Sequence, residues 1–292
     1  MTPNRQTVQL DWFINSRCDY TCSRCSPHSQ EEGLRPDLTL DSCLEALRSF
    51  SEFAGHYSMD GIITFYPRQA PFIDPFVTVL KEANRLKQQG RLKSLHSANR
   101  GDLPGNKIRF FRENGIDTCR LTIDGPNEQI QDPMRRPGHF QDTLRAFREA
   151  RDNHLHIEPL IIVVRHNAPH VTDTLRLLLD EGFDDIFIKV AVQTAGTLEQ
   201  DNPWNQLLNE TEYRSLHLQV STFLDSLPPQ FAPFRKKTLL RLTQPPSQPS
   251  FTLKPDGVLF RDLKQPKLGS FPGISFLRLA GIEQEIKHGT QK

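Results

Sequence analysis

The 292-residue chain carries 36 Lys+Arg against 35 Asp+Glu, a formal net charge of +1, with 36% hydrophobic and 24% charged residues. So neutral a chain gives no support to phosphate-driven nucleic-acid binding, and no apolar run approaches the roughly 20 residues that cross a bilayer. Neither nucleic acid nor membrane is therefore expected as a partner. The start, MTPNRQTVQLDW, has no apolar export segment, so a cytoplasmic chain is expected.

Short apolar runs then alternate with helical patterns. Residues 8–14 read as a strand, followed by a cysteine-bearing loop. Residues 41–54 read as a helix, with Cys43, Leu47, Phe50 and Ala54 on one stripe. Strand 61–66, helix 75–89 and strand 92–98 follow, then a short helix 106–114 closed by Gly115. Strand 117–123, helix 140–153, strand 157–164, helix 171–180 closed by Gly182, and strand 185–192 complete six strand–helix alternations. That pattern belongs to an α/β chain with a parallel sheet, here a partial (β/α)6 barrel with function at its C-terminal strand ends. Past residue 195 the character changes, since residues 203–292 hold 10 of the 22 prolines. Residues 209–227 read as a helix, 244–250 as a linker, 251–262 as a hairpin around Pro255-Asp256-Gly257, and 274–287 as a terminal helix. The division expected is a barrel over 1–200 and a small α+β appendage over 201–292.

Of five cysteines, three stand at Cys18, Cys22 and Cys25. An odd count gathered behind a strand is metal or redox chemistry rather than a disulfide framework. Thiolates spaced C-x3-C-x2-C suit an Fe–S cluster, and three ligands to a four-iron cluster leave one iron open to a chelating small molecule. Zinc is the plainer alternative, with His28 as a fourth ligand. Cys43, on the helix stripe, and Cys119, on the apolar set of the fourth strand, read as core residues.

Arg17-Cys18-Asp19-Tyr20-Thr21-Cys22-Ser23-Arg24-Cys25 resembles the cluster loop of radical S-adenosylmethionine (SAM) enzymes, which commonly reads C-N-Y-x-C-x-x-C. The resemblance runs on through Thr122-Ile123-Asp124-Gly125-Pro126, similar to the family's S-I-D-G. It continues in the 132–140 stretch DPMRRPGHF, similar to D-x-x-R-G…G-x-F, and in Val163-Val164-Arg165-His166-Asn167, similar to V-V-x-x-N. It implies a [4Fe–4S] cluster on Cys18, Cys22 and Cys25, with SAM bound to the open iron through its amino and carboxyl groups. An external donor such as flavodoxin or ferredoxin supplies one electron, the sulfonium is cleaved, and a 5′-deoxyadenosyl radical abstracts a substrate hydrogen. Tyr20 and Arg24 fall on the SAM side of that loop. Arg24 stands where an aromatic residue is usual, and its guanidinium can still stack on a base.

The family's G-G-E-P segment aligns with Arg68-Gln69-Ala70-Pro71. There Gln69 and Ala70 offer the SAM amino group backbone carbonyls but no carboxylate. Asn99, at the place of the family's T-N-G, either binds ribose or shapes the turn. Thr122, on the inward polar set with Arg120 and Asp124, fits a SAM-contacting hydroxyl. Arg135 either pairs with the SAM carboxylate or makes a surface salt bridge. Asn167 is either a helix N-cap or a ligand group.

The 251–269 segment FTLKPDGVLFRDLKQPKLG resembles the start of the SPASM extension of peptide-modifying radical SAM enzymes, and otherwise reads as an ordinary hairpin. No cysteine follows Cys119, so an auxiliary cluster is excluded by count. The leading expectation is a maturase acting on a ribosomally made precursor peptide, working with a peptide-leader-binding partner; carbon–carbon cleavage or splicing fits a single cluster. The rivals are a radical SAM enzyme on a small metabolite, and a non-catalytic cluster-bearing scaffold suggested by Arg68-Gln69-Ala70-Pro71.

Overall fold

The computed structural model describes residues 5–16, 37–67, 74–191, 206–235, 238, 250–254, 258–261 and 267–270. Outside the described residues lie the cysteine loop with Cys18, Tyr20, Cys22, Arg24, Cys25 and His28, the segment with Gln69 and Ala70, residues 244–249 of the linker, the Pro255-Asp256-Gly257 turn and the terminal helix expected over 274–287.

Strands β1 (Thr7–Trp12), β2 (Asp60–Phe65), β3 (Ser94–Asn99), β4 (Thr118–Thr122), β5 (His156–Val163) and β6 (Phe187–Val190) pair in sequence order, each parallel to the next. Helices α1 (Leu40–His56), α2 (Phe76–Gln88), α3 (Gly105–Glu113), the short α4 (Glu128–Gln131), α5 (His139–Asp152) and α6 (Val171–Asp180) occupy the connections. The six strands curl into the α/β half-barrel expected from the alternation. Each crossover lays its helix on the same side of a right-twisted sheet. Residues that point to that side are therefore apolar: Leu10 and Trp12 on β1, Ile63 and Phe65 on β2, Leu95 on β3, Cys119 and Leu121 on β4, all fully buried. Phe65 meets Phe76 of α2 edge-on, and Phe76 meets Phe111 of α3 in turn.

Local sequence sets the helix ends. The Thr39 hydroxyl accepts the Ser42 N–H at 3.3 Å and starts α1, which buries Cys43, Leu47, Phe50 and Ala54 as its stripe predicts. After α3 and α6 the chain turns through Gly115 and Gly182 at φ of +79° and +88°, a conformation open to glycine. Helix α7 (Glu210–Ser226) packs on α6 and opens with a capping box: Asn209 Oδ1 accepts the Glu212 N–H at 2.9 Å, and Glu212 Oε2 accepts the Asn209 N–H at 2.8 Å.

The C-terminal hairpin forms as expected, with β7 (Ser250–Leu253) antiparallel to β8 (Val258–Arg261). A further strand, β9 (Lys267–Ser270), is antiparallel to β8 and was not anticipated. Neither was the junction, since β7 runs parallel to β1 from Gln9↔Ser250 to Trp12↔Leu253 and joins one nine-stranded sheet. The physical reason is the edge: without β7, one side of β1 presents a row of unpaired N–H and C=O groups. Phe251 and Leu253 continue the buried face of β1, and Phe251 meets Phe53 of α1 edge-on at 5.5 Å between ring centroids.

A double-mutant cycle on Phe53→Ala and Phe251→Ala, read by urea denaturation, is expected to show a coupling of about 0.5–1.5 kcal/mol. Strict additivity would mean that β7 is not docked on α1.

Candidate functional site

The cysteine loop leaves from the C-terminal end of β1, so chemistry belongs at the C-terminal strand ends and on the sheet face turned away from the helices. Two structures occupy that region: a clamp across the strand-end loops and a polar network on the inner face.

The clamp centres on Asp124, which follows β4. Arg135 Nε donates to Asp124 Oδ2 at 2.7 Å, with the two side chains 5% and 0% exposed. The Asp124 N–H donates to Gln131 Oε1 at 3.1 Å, and its carbonyl accepts Asn167 Nδ2 at 2.7 Å. Asn167 also accepts the Val164 N–H at 2.8 Å and donates to the Ile162 carbonyl at 3.0 Å, tying the end of β5 to the end of β4. It sits at the N-cap position of a 3₁₀ turn, Ala168–His170, but its side chain caps nothing there; it is a bridge between two strand ends. Arg135 likewise forms a buried ion pair, which neither alternative for it had included.

Thr122 lies beside this clamp on the inward set, as the alternation of β4 requires, and its hydroxyl donates to the Asn99 carbonyl at 2.9 Å. Asn99 itself turns the other way: Nδ2 donates to Ser97 Oγ at 2.8 Å and reaches Cys119 Sγ at 3.4 Å. The structure thus brings Asn99, Thr122 and, one step on, Arg135 into one frame, with the Asn99 side chain bonded back to β3 and across to β4. Gly101 completes the β3 end, because a Cβ there would stand 2.4 Å from the Thr122 carbonyl and 2.2 Å from Thr143 Oγ1. Asp132 explains the 132–140 stretch locally: its carboxylate accepts the Gly138 N–H at 2.6 Å and the Phe140 N–H at 2.9 Å, holding the start of α5. Beneath it Gln131 Nε2 and His139 Nδ1 stand 2.8 Å apart, fully buried.

The inner-face network was not anticipated. Register brings Gln9 and Asp11 of β1, Thr64 of β2, His96 of β3, Arg120 of β4, Glu158 of β5 and Lys189 of β6 to the same side. Gln9 Nε2 donates to Asp11 Oδ1 at 2.7 Å, and the Tyr66 hydroxyl donates to the same oxygen at 3.4 Å. Arg120 Nε pairs with Glu158 and its guanidinium lies over the Phe187 ring, 4.7 Å from the centroid. Burial pushes the Asp11 carboxyl above its usual value, against the hydrogen bond from Gln9 and the charges of Arg120 and Lys189. Burial also raises the Tyr66 phenol, and the Asp11 charge raises it further. Burial works against the charge of Arg120, yet Glu158 outweighs it and holds the guanidinium above its ordinary range. A signal for part of this set was available in the sequence, a glutamate inside the apolar run HIEPLIIV; the arginine opposite it is set by the register of the folded sheet.

Cys43 and Cys119 are fully buried, and burial pushes both thiols up to about 12, so they remain protonated core residues as expected. Among the described residues no group of three or more His, Cys, Asp or Glu could hold a metal ion. Cys18, Cys22 and Cys25, which the cluster-loop resemblance singles out, lie outside the described residues. No helix among the described residues is long and apolar enough to cross a membrane.

Comparison with known proteins agrees with this geometry. The sequence profile of the Radical SAM superfamily matches residues 12–178. The AdoMet-dependent heme synthase of Oleidesulfovibrio alaskensis (strain ATCC BAA-1058 / DSM 17464 / G20) is 24% identical over 237 residues, 80% of this chain and 54% of that protein. The chain thus spans about half the length of that curated relative. Among solved structures, native anSMEcpe with bound AdoMet superposes with a TM-score of 0.66 at 16% identity, covering 93% of this chain and 80% of that one. Streptococcus suis SuiB bound to precursor peptide SuiA gives 0.67 at 9% identity, covering 94% and 64%. At such identities the two structures speak for the fold.

Removing one partner of the buried pair leaves an uncompensated charge, so Arg135→Met is expected to cost about 3–5 kcal/mol in urea denaturation. The double variant with Asp124→Asn should recover much of that loss. Burial, above all, holds His96 and His139 down to about 4. Since an unfolded histidine titrates near ~6.5, the unfolded state binds the extra proton first. Stability contributed by the neutral rings is therefore complete above that value and lost as the pH falls toward about 4. Melting temperature followed over that window should fall in the wild type, and His139→Gln should flatten the fall.

Proposed function

Because the chain belongs to the radical SAM superfamily, whose cofactors are a [4Fe–4S] cluster and S-adenosylmethionine, we propose that it modifies a ribosomally made precursor peptide by hydrogen abstraction. The observation that carries this reading is the pairing of a family match over residues 12–178 with a C-terminal hairpin ordered against β1, in the fold of SuiB and anSMEcpe. SuiB has been solved with a precursor peptide and anSMEcpe with a Cp18Cys peptide.

In this reading Cys18, Cys22 and Cys25 hold the cluster. When bound, it supplies the one-electron cleavage of SAM that generates the hydrogen-abstracting radical. The protein's share is placement and exclusion of water. Tyr20 and Arg24 flank the cofactor from the cysteine loop, with Arg24 stacking on the base, and Gln69 and Ala70 offer backbone carbonyls to the SAM amino group. Thr122 presents its hydroxyl from the inner face. Asn99 and Arg135 serve through it and through Asp124, fixing the loops on which SAM rests. Substitution of the family's glutamate by Ala70 lowers SAM affinity without removing the carbonyls. β7 and β8 are a cluster-free remnant of the SPASM extension, on a unit that begins near residue 201. An external flavodoxin or ferredoxin and a peptide-leader-binding protein complete the system in the cytoplasm, and carbon–carbon cleavage or splicing is the transformation that fits one cluster. A small metabolite as substrate is the second reading, favoured by the likeness to an AdoMet-dependent heme synthase.

The test is anaerobic reconstitution, reduction, and measurement of 5′-deoxyadenosine with and without a precursor peptide encoded beside the gene. Peptide-stimulated cleavage with a mass change in the peptide is expected. Absence of SAM cleavage under every condition would leave a cluster-bearing scaffold. Cys22→Ala should lose the brown Fe–S absorbance and most of the iron; full iron retention would overturn the cluster assignment.

A further inference from the structure

The inner-face network holds one carboxylate in an unusual way. Both hydrogen bonds to Asp11 converge on Oδ1, from Gln9 and Tyr66, while Oδ2 accepts none among the described residues. Asp11 is half-buried and one residue short of the C-terminal end of β1, on the lumen side of the strand that leads into the cysteine loop. Gln9 and Tyr66 therefore fix the plane of the carboxylate and leave Oδ2 as an acceptor aimed at whatever enters the lumen.

The charges around it decide what that is. Arg120 and Lys189 both act on Asp11, and Lys254 stands over the Phe13 ring on the same face, its nitrogen 5.6 Å from the centroid. Phe13 in turn stacks on Tyr66 at 4.6 Å and 13°, closing the apolar side of the position. A cationic ligand group at Oδ2 would meet Arg120 and Lys189, whose charges already act on that carboxylate. An anionic one would meet the carboxylate itself. A neutral N–H donor meets neither penalty.

We propose that Asp11 Oδ2 is a substrate-anchoring acceptor that takes a neutral amide N–H of a peptide segment lying in the barrel lumen, with Gln9 and Tyr66 as its positioning residues. The inference rests on the peptide reading above and adds the point at which the chain engages its substrate. Losing a hydrogen bond to a charged acceptor lowers affinity by about tenfold.

The test is equilibrium dialysis, under argon, of the cluster-reconstituted protein against three probes: acetyl-glycyl-glycine amide, propylammonium and propionate. Wild-type protein should retain the diamide over both ions, and Asp11→Asn, with iron content and melting temperature unchanged, should bind it about tenfold more weakly. Tyr66→Phe keeps Oδ2 in place but loosens its aim, and should weaken diamide binding by about threefold, with selectivity over the ions reduced. It decides the matter if the Asp11 variant fails to fold. Equal diamide binding by wild type and variants, no diamide binding by wild type, or preference for propylammonium would each overturn the proposal. SAM cleavage measured on the same preparation separates the two levels. Cleavage without diamide binding removes the anchoring site alone, whereas diamide binding without cleavage removes the enzymatic reading alone.

Discussion

A right-handed crossover between parallel strands can place its helix on only one side of the sheet, and everything else in this protein follows from that handedness. Six such strands in sequence order commit one face to packing under helices and, among the described residues, free the other from those crossovers. The committed face is filled by Leu10, Trp12, Ile63, Phe65, Cys119 and Leu121, none with measurable exposure. The uncommitted face is where polar and charged side chains can be afforded. Gln9, Asp11, Thr64, His96, Arg120 and Glu158 stand there in adjacent registers.

Parallel strands also end together, so their following loops meet at one rim. Loops there carry backbone groups that no ladder satisfies. Asn167 commits both amide hydrogens and its carbonyl oxygen to three backbone groups at that rim, one on the β4 side and two on the β5 side. The Arg135–Asp124 pair adds charge to the same rim without exposing it. A rigid rim of this kind is what a radical enzyme needs, because a misplaced cofactor loses the geometry on which hydrogen abstraction depends.

Legibility in the sequence tracked the distance over which each feature is decided. Helix α1 was readable from its stripe, α5 and α6 from the strand–helix alternation, and the stops at Gly115 and Gly182 from residue type, because these are settled within a few residues. Strands were readable in existence but drifted at their ends: residues 185–192 shorten to Phe187–Val190, and 8–14 shift to Thr7–Trp12. The short α4 escaped notice, being held by Asn127 and by tertiary bonds through Gln131 rather than by periodicity. Thr122 was placed on its correct face by counting in twos. The role of Asp11 was not, because its significance depends on Arg120, more than a hundred residues away, and on a register that only the folded sheet defines. Arg135 illustrates the same limit. A guanidinium near a strand end invites an anion, and the sequence does not disclose that an aspartate eleven residues earlier is that anion.

The parallel seam between β7 and β1 has a further effect. With β2 alone as neighbour, β1 could shift by one residue and still keep a ladder, but every side chain would then change faces, with Asp11 driven under the helices and Trp12 into the lumen. Bonds on both flanks, from Thr7↔Asp60 on one side and Gln9↔Ser250 on the other, make such a shift break two ladders at once. The hairpin, drawn from the far end of the chain, works as an alignment key: it fixes the phase of the strand from which the cysteines depart.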